Sequence, residues 1–290
     1  MPTRASGDAS HRMSSDPHTD SAGDPLPGPS PERLGDRVAV PSVDRHILLD
    51  AVSVGYGDTV IQRDLSFGIR RGDVFVIMGG SGSGKSTLMR SLVGLLAPQA
   101  GRILFDGVSF WDAPQRERIR RMRRNGVMYQ SGALWSSMTL EENVALPLEQ
   151  YTRLTPSRIH DVAVYKLALV GLSAYCDYYP SEISGGMRKR VGVARAMALD
   201  PDILFFDEPS AGLDPLSARL LDELILELRE SLHTTMVVVT HDLASIFAIA
   251  DDSVFLDAAT HTMLTTGNPR ELREHSEIAL VRDFLSRGER

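Results

Sequence analysis

Within eight residues, Gly79-Gly80-Ser81-Gly82-Ser83-Gly84-Lys85-Ser86 brings together four glycines, a lysine and a terminal hydroxyl. The spacing is that of a phosphate-cradling loop, G-x-x-x-x-G-K-[ST]. Glycine lets the backbone turn its N–H groups inward around anionic oxygens. A helix beginning near Lys85, with Thr87 in its first turn, adds the positive end of its dipole. Lys85 is a compact point charge suited to the outer phosphates, where an arginine fork fits poorly. The Ser86 hydroxyl suits Mg²⁺ ligation. Further along, Ile203-Leu-Phe-Phe-Asp207-Glu208 is an apolar run that ends in two acids. Open α/β sheets bind ligands at the carboxyl ends of their strands. Asp207 is therefore expected to hold Mg²⁺ through water, and Glu208 to polarise an attacking water. Met236-Val-Val-Val-Thr-His241-Asp242 repeats the pattern with a histidine at the strand end. His241 can hydrogen-bond a terminal phosphate and that same water. Gln130 closes Val127-Met-Tyr-Gln130 and has two readings: a Mg²⁺ ligand that reports nucleotide state, or a surface glutamine.

These groups need a scaffold, and the pattern supplies one of α/β class. Val74-Phe-Val-Ile-Met78, Ile203-Leu-Phe-Phe206 and Met236-Val-Val-Val239 are short, fully apolar runs. Strands buried on both faces read this way, as in a parallel sheet covered by helices. His46–Tyr56 and Leu65–Arg70 read as short strands of an antiparallel sheet. Leu88, Met89, Leu92, Val93 and Leu96 mark one face of a helix after the glycine loop. Between Leu140 and Leu199 the signal is mostly helical, which suggests a helical insertion. Pro215–Leu232 is marked as a helix by Asp214 as cap, Pro215 in the first turn, and Leu216, Leu220, Leu224 and Leu228 every four residues. Pro269–Ser286 reads as one amphipathic helix.

Composition bounds the function. The chain has 290 residues and a formal net charge of −7, against the basic surface of a general nucleic-acid binder. A single cysteine, Cys176, forbids an internal disulfide and fits a reducing compartment. No apolar run approaches the ~18 residues that span a bilayer, and the N-terminus lacks a signal peptide's apolar stretch. Residues 1–44 carry seven of the 16 prolines, seven serines and no Phe, Trp or Tyr, and are expected to be disordered. Of 31 basic residues only Lys85, Lys166 and Lys189 are lysines. Arg116, Arg118, Arg120, Arg121, Arg123 and Arg124 form a cluster that reads either as a solvated helix face or as a surface for anionic lipid headgroups.

Ser184-Gly-Gly-Met-Arg-Lys-Arg190 lies 23 residues before Asp207, at the start of a further helix. In the order Tyr56, glycine loop, Gln130, Ser184-Gly185-Gly186, Asp207-Glu208, Ala211-Gly-Leu-Asp214 and His241, the chain resembles the ATP-binding subunit of ABC transporters over about residues 46–265. That resemblance implies an ABC-type P-loop NTPase: a RecA-like core with a parallel sheet, an antiparallel β subdomain and an inserted helical subdomain. The ATPase domain would span 45–265, its helical subdomain about 131–199, and a C-terminal helical extension 266–290. Tyr56 would stack on adenine, although by itself it also reads as a buried sheet aromatic. Ser184, Gly185 and Gly186 would bind the γ-phosphate held by a second subunit's Lys85 loop, and Asp214 would lie across the dimer interface. ATP and Mg²⁺ are the implied cofactors, and a second copy and an integral membrane permease the implied partners.

Met187 stands where the commonest signature has Gln. Gly-Gly-Met-x-x-Arg, Gln130-Ser-Gly-Ala-Leu134, Leu146-Pro147-Leu148 and Val281-Arg-Asp-Phe-Leu285 are similar to the Mla/Mkl-type lipid-transport ATPases. This implies an Mce-domain lipid-binding protein and a small regulatory subunit as further partners, no nucleic acid, and a peripheral place on the cytoplasmic face of the inner membrane. The alternatives are an importer ATPase for a polar solute and a non-transport ABC ATPase.

Overall fold

The computed structural model describes residues 45–130 and 132–287. The expectation for residues 1–44 lies outside the described residues, as does Ser131. Strands β1 (Arg45–Tyr56), β2 (Thr59–Arg70), β4 (Ala100–Phe105) and β5 (Val108–Ser109) form an antiparallel sheet in the order β2-β1-β4-β5. Strands β3 (Val74–Gly79), β6 (Asn125–Met128), β7 (Ile203–Asp207), β8 (Thr235–Val239), β9 (Asp252–Asp257) and β10 (Thr262–Thr266) form a second sheet in the order β10-β9-β3-β8-β7-β6. Its first five strands in chain order pair in parallel, and β10 closes one edge antiparallel.

The apolar runs lie in the centre of this second sheet because both of its faces are covered. Val74, Val76 and Met78 of β3 enter one core, while Phe75 and Ile77 enter the other. β7 and β8 divide their side chains in the same alternating way, as the period of two requires. Helix α1 (Lys85–Leu92) belongs to the core shared with the antiparallel sheet, where Phe67 stacks on Phe75 with centroids 5.3 Å apart. The opposite face carries α3 (Leu140–Tyr151), α4 (Pro156–Leu169), α5 (Gly185–Ala196), α6 (Pro215–Leu232) and α7 (Leu243–Ile249). The segment from β6 to β7 holds α3, α4, α5 and two single 3₁₀ turns. Among the described residues no helix is long and apolar enough to cross a membrane.

Four expectations need correction. β2 begins at Thr59 rather than Leu65: its polar first half pairs with the end of β1 through register shifts that hide the alternation. Leu96 lies beyond the end of α1. In α6 the buried stripe is Leu221, Leu224, Ile225 and Leu228, whereas Leu216 and Leu220 are 67% and 48% exposed. A strict four-residue row turns about 40° per step about the axis, so it leaves the buried face within three steps. Finally, Pro269–Ser286 is two helices, α8 (Pro269–His275) and α9 (Ala279–Leu285), separated by Ser276 in an extended conformation. The break turns Val281, Phe284 and Leu285 into the core, where Phe284 meets Phe255 edge-on at 5.1 Å.

The arginine cluster sits on and just after α2 (Gln115–Met122) and is engaged locally. Arg118 covers Trp111, Arg123 covers Tyr151, Arg120 and Arg121 face Glu117, and Arg124 pairs with Asp202.

Leu228→Ala is expected to cost about 2–5 kcal/mol in chemical denaturation, as a cavity-forming core truncation. Leu216→Ala should change stability by less than about 0.5 kcal/mol. Equal losses would restore the four-residue stripe.

Candidate functional site

The chain leaves β3 into the glycine loop at Gly79, whose φ is +148°. A Cβ there would stand 2.2 Å from the Leu256 carbonyl oxygen of β9, so both the conformation and the space require glycine. Gly84 is the first flanking residue of α1, and no side chain caps that helix. Its first-turn N–H groups therefore remain available to an anion. Lys85 Nζ donates to the Gly79 and Gly80 carbonyls, both at 2.9 Å. Burial lowers the Lys85 pKa, opposed by the charges of Glu208 and Asp207. A fully buried glutamine on β2 supports the loop: Gln62 Nε2 donates to the Ser83 carbonyl at 2.9 Å and the Asp257 carbonyl at 2.8 Å.

Parallel pairing sets the end of β8 beside β3 and the end of β7 one strand further on. Glu208 follows β7 with φ of +48°, a strained position for a residue with a Cβ. Its N–H donates to the Val239 carbonyl at 2.8 Å, which fixes that turn. Its carboxylate Oε1 lies 2.8 Å from His241 Nδ1. Asp207, just before it, is partly buried, and its Oδ1 has no hydrogen-bond partner among the described residues. Burial raises the Asp207 pKa, Glu208 adds to this, and Arg90, Lys85 and Lys189 oppose it.

These elements enclose a cavity of about 770 Å³ lined by Gly79 through Thr87, Gln130, Glu208 and His241. Ile61, Leu243, Phe284 and Arg287 complete its wall. The other expected site residues lie outside that lining. Tyr56 is 46% exposed at the end of β1, where its hydroxyl accepts from Arg90, so it is not a buried sheet aromatic. Ser184 caps α5 by accepting from the Met187 N–H at 3.2 Å, and Gly185 and Gly186 form the first turn. Asp214 caps α6 by accepting from the Ser217 N–H at 3.0 Å. Among the described residues, the glycine-loop cavity and the second glycine-rich helix start are thus separate features.

Several supporting residues escaped sequence reasoning. Lys189 stood out as one of three lysines, but its partners did not; Gln62 is a polar residue inside an otherwise unremarkable pattern, revealed only by its burial. Asp222 of α6 is another. Ser245 Oγ of α7 lies 2.8 Å from Asp222 Oδ2 and 3.2 Å from Asp242 Oδ2. One hydroxyl carries one proton, so both contacts are hydrogen bonds only when a carboxyl is protonated. Burial pushes the Asp222 pKa up to about 6, with Asp242 and Glu223 adding to the rise and the Ser245 hydrogen bond opposing it. Asp242 directly follows His241, so this chain supports the histidine's strand end.

An apolar parallel strand, a glycine-rich turn into an uncapped helix, and acids at the end of the next strand but one define a P-loop nucleotide-binding protein. Comparison with known proteins narrows this class. The ABC transporter family pattern matches residues 62–211. The chain is 40% identical over 235 residues to the intermembrane phospholipid transport system ATP-binding protein MlaF of Escherichia coli K12, covering 81% of this chain and 86% of that protein. It is 38% identical over 240 residues to the probable ribonucleotide transport ATP-binding protein mkl of Mycobacterium tuberculosis H37Rv. That alignment covers 83% of this chain and 66% of mkl, so the chain spans just under two thirds of the mycobacterial relative's length. Among solved structures, a dimeric post-hydrolysis state of the ATP-binding cassette MJ0796, bound to ADP and Pi, superposes with a TM-score of 0.69 at 27% identity. It covers 77% of this chain and 98% of that one. The chain belongs to the ABC transporter family.

The Asp222 carboxyl binds its proton more tightly folded than unfolded, since its pKa lies above the usual 3.8. Its favourable contribution is therefore full below about pH 4 and lost as pH rises through about 6. Asp222→Asn removes the charge and retains a partner for Ser245. At about pH 8 this variant is expected to be more stable than the parent by of order 1–3 kcal/mol, an advantage that shrinks on acidification. Melting curves of both proteins across that range check this, and a pH-independent difference would refute it.

Proposed function

We propose that this chain is the ATP-hydrolysing subunit of an ABC transporter that moves phospholipid or a related lipid through a separate permease. The observation that carries the ATPase reading is the shared cavity: the Lys85 loop on one wall, the Glu208–His241 pair on another. Gly79, Gly80, Ser81, Gly82, Ser83 and Gly84 wrap the phosphates with backbone N–H groups, Lys85 neutralises the outer ones, and Thr87 closes the first helical turn. Tyr56 offers a ring for adenine. Glu208 orients and polarises the attacking water, and His241 holds Glu208 and the terminal phosphate. Release of Lys85 from the Gly79 and Gly80 carbonyls accompanies phosphate binding.

Mg²⁺ fits the residues present. Asp207 Oδ1 is buried without a partner among the described residues, and Ser86, Gln130 and the adjacent Glu208 line the glycine-loop cavity. Among the described residues no group of three or more His, Cys, Asp or Glu side chains holds a metal by itself. This suits an ion that takes few protein ligands beside phosphate and water. Ser86, Asp207 and Gln130 would hold it, where it would neutralise phosphate charge.

The separation of Ser184, Gly185 and Gly186 from the Lys85 cavity supports a second copy as partner. Each copy would present its α5 helix start to the γ-phosphate of the other, with Asp214 at the interface between them. The dimeric state of the solved relative supports the same arrangement. A lipid substrate is favoured by the likeness to MlaF, with an Mce-domain protein and a small regulatory subunit as further partners. The name of mkl supports a second reading, a polar nucleotide-like solute. Both readings place the chain peripherally on the cytoplasmic face of the inner membrane.

Lys85→Ala is expected to weaken ATP binding by about a hundredfold or more, as loss of a charge-assisted phosphate contact, in a fluorescent-nucleotide titration. Glu208→Gln should bind ATP normally, lose about a hundredfold or more of turnover and accumulate as a dimer in size-exclusion chromatography. A monomer with wild-type turnover would remove Glu208 from its role. For the substrate, the tagged chain should be purified from native membranes in mild detergent and its companions identified by mass spectrometry. A permease with an Mce-domain protein and bound lipid is the expected result. A permease with a solute-binding protein would keep the ATPase and overturn the lipid.

A further inference from the structure

Lys189 lies in the second turn of α5 and is only 6% exposed. Its ammonium donates to two backbone carbonyls on two different elements: that of Gln130 and, at 3.3 Å, that of Glu208. Gln130 follows β6 and Glu208 follows β7, so one side chain ties the ends of two adjacent parallel strands to a third element. Along the same face of α5, three residues on, Gly192 makes a close approach. A Cβ there would stand 3.2 Å from the Gly132 Cα. Three residues further, Arg195 donates to the Gly132 carbonyl at 2.8 Å and the Ala133 carbonyl at 2.7 Å. Ala133 has φ of +49°, a conformation that these hydrogen bonds hold. Residues spaced by three share a helix face, so Lys189, Gly192 and Arg195 form one stripe that grips the segment after β6.

The other end of α5 is the Ser184-Gly185-Gly186 helix start. An α-helix hydrogen-bonded throughout moves nearly as a rigid body, so a force at its first turn reaches Lys189 one turn later. The side chain's chemistry suits the place. Two carbonyl oxygens converge on one nitrogen, which a three-donor ammonium satisfies and a planar guanidinium, bulkier and with fixed donor directions, does not. In a chain with 28 arginines, a lysine stands here.

We propose that Lys189 is a positioning residue: through its two carbonyl hydrogen bonds it sets Gln130 and Glu208 at the phosphate cavity from the Ser184–Gly186 helix. Docking of that helix start is thereby transmitted to the hydrolytic residues of the same chain. The inference rests on the reading of Glu208 and Gln130 given above, and its test separates the two.

Lys189→Met in the full chain removes the donors and preserves an apolar stem. The Lys189 hydrogen bonds go to the Gln130 and Glu208 carbonyls and not to the phosphate loop, so the affinity for a fluorescent ATP analogue and KM should stay within about twofold while kcat falls about tenfold or more. Amide hydrogen exchange of residues 129–130, 132–134 and 208–211 should accelerate without matching acceleration in the middle of α5. In the Glu208→Gln background the same substitution should add less than about twofold to the loss, because both changes act on one group. Lys189→Gln, which retains N–H donors, should recover part of kcat, and it carries the same comparison if the Met variant does not fold. Wild-type kcat, a loss shared equally by KM and affinity, unchanged exchange at 129–130, 132–134 and 208–211, or equal loss in the Met and Gln variants would each overturn the proposal. Wild-type turnover in Glu208→Gln alone would instead overturn the hydrolytic reading. The exchange measurement would still decide whether Lys189 holds the two segments.

Discussion

Backbone N–H groups can surround a phosphate only where the chain turns sharply and no Cβ intrudes. That constraint is concentrated at Gly79, where β3 stops and the loop begins. The Leu256 carbonyl of β9 sits where a side chain would have to go, so the glycine is required by the neighbouring strand as much as by the anion. Gln62 reaches in from the other sheet and ties Ser83 to Asp257. The loop is thus held by β3, by its parallel neighbour β9 and by β2 of the antiparallel sheet. A preformed cradle avoids the entropy cost of ordering glycines at the moment of binding.

Charge is handled by point contacts. The three lysines, each among many arginines, all meet oxygen acceptors at close range. Lys85 meets two loop carbonyls, Lys166 meets Asp200 from inside the helical layer, and Lys189 meets the carbonyls of Gln130 and Glu208. The arginines mostly occupy exposed positions or lie over aromatic rings, where a wide planar cation suffices. At the end of β7, Asp207 and Glu208 are adjacent like charges, both partly buried. Such a pair is costly until a cation shares it. Lys85, Lys189 and Arg90 offset part of that cost at Asp207.

The distribution of the remaining expected residues gives the molecule its logic. One chain carries a cavity at the strand ends and a second anion-suited helix start elsewhere, joined internally by α5, the segment after β6, and the turn after β7. The chain belongs to the ABC transporter family, and a solved cassette it resembles is dimeric; in the arrangement proposed above, the two parts would serve two different nucleotides. The apolar residues left exposed on α6, Leu216 and Leu220, follow the Asp214 cap on the same helix.

Much of this was legible from residue types alone, because the constraints are local. The glycine loop spans eight contiguous residues and the acids end an unbroken apolar run, so their chemistry does not depend on distant contacts. Three of the parallel strands announced themselves as apolar runs because both of their faces are buried. What tertiary structure alone decided involves partners far apart in the chain. Gln62 meets Asp257 across 195 positions, and Lys189 meets Gln130 across 59. The polar first half of β2 is a strand only because β1 pairs with it. The leucines of α6 divide into buried and exposed by the helix's rotation against its neighbours. The C-terminal pattern breaks at Ser276, and beyond the break Phe284 packs against Phe255. A pattern along the chain can name the groups that do chemistry. It cannot say which face a neighbour will cover, because burial is set by contacts between segments that the sequence keeps apart.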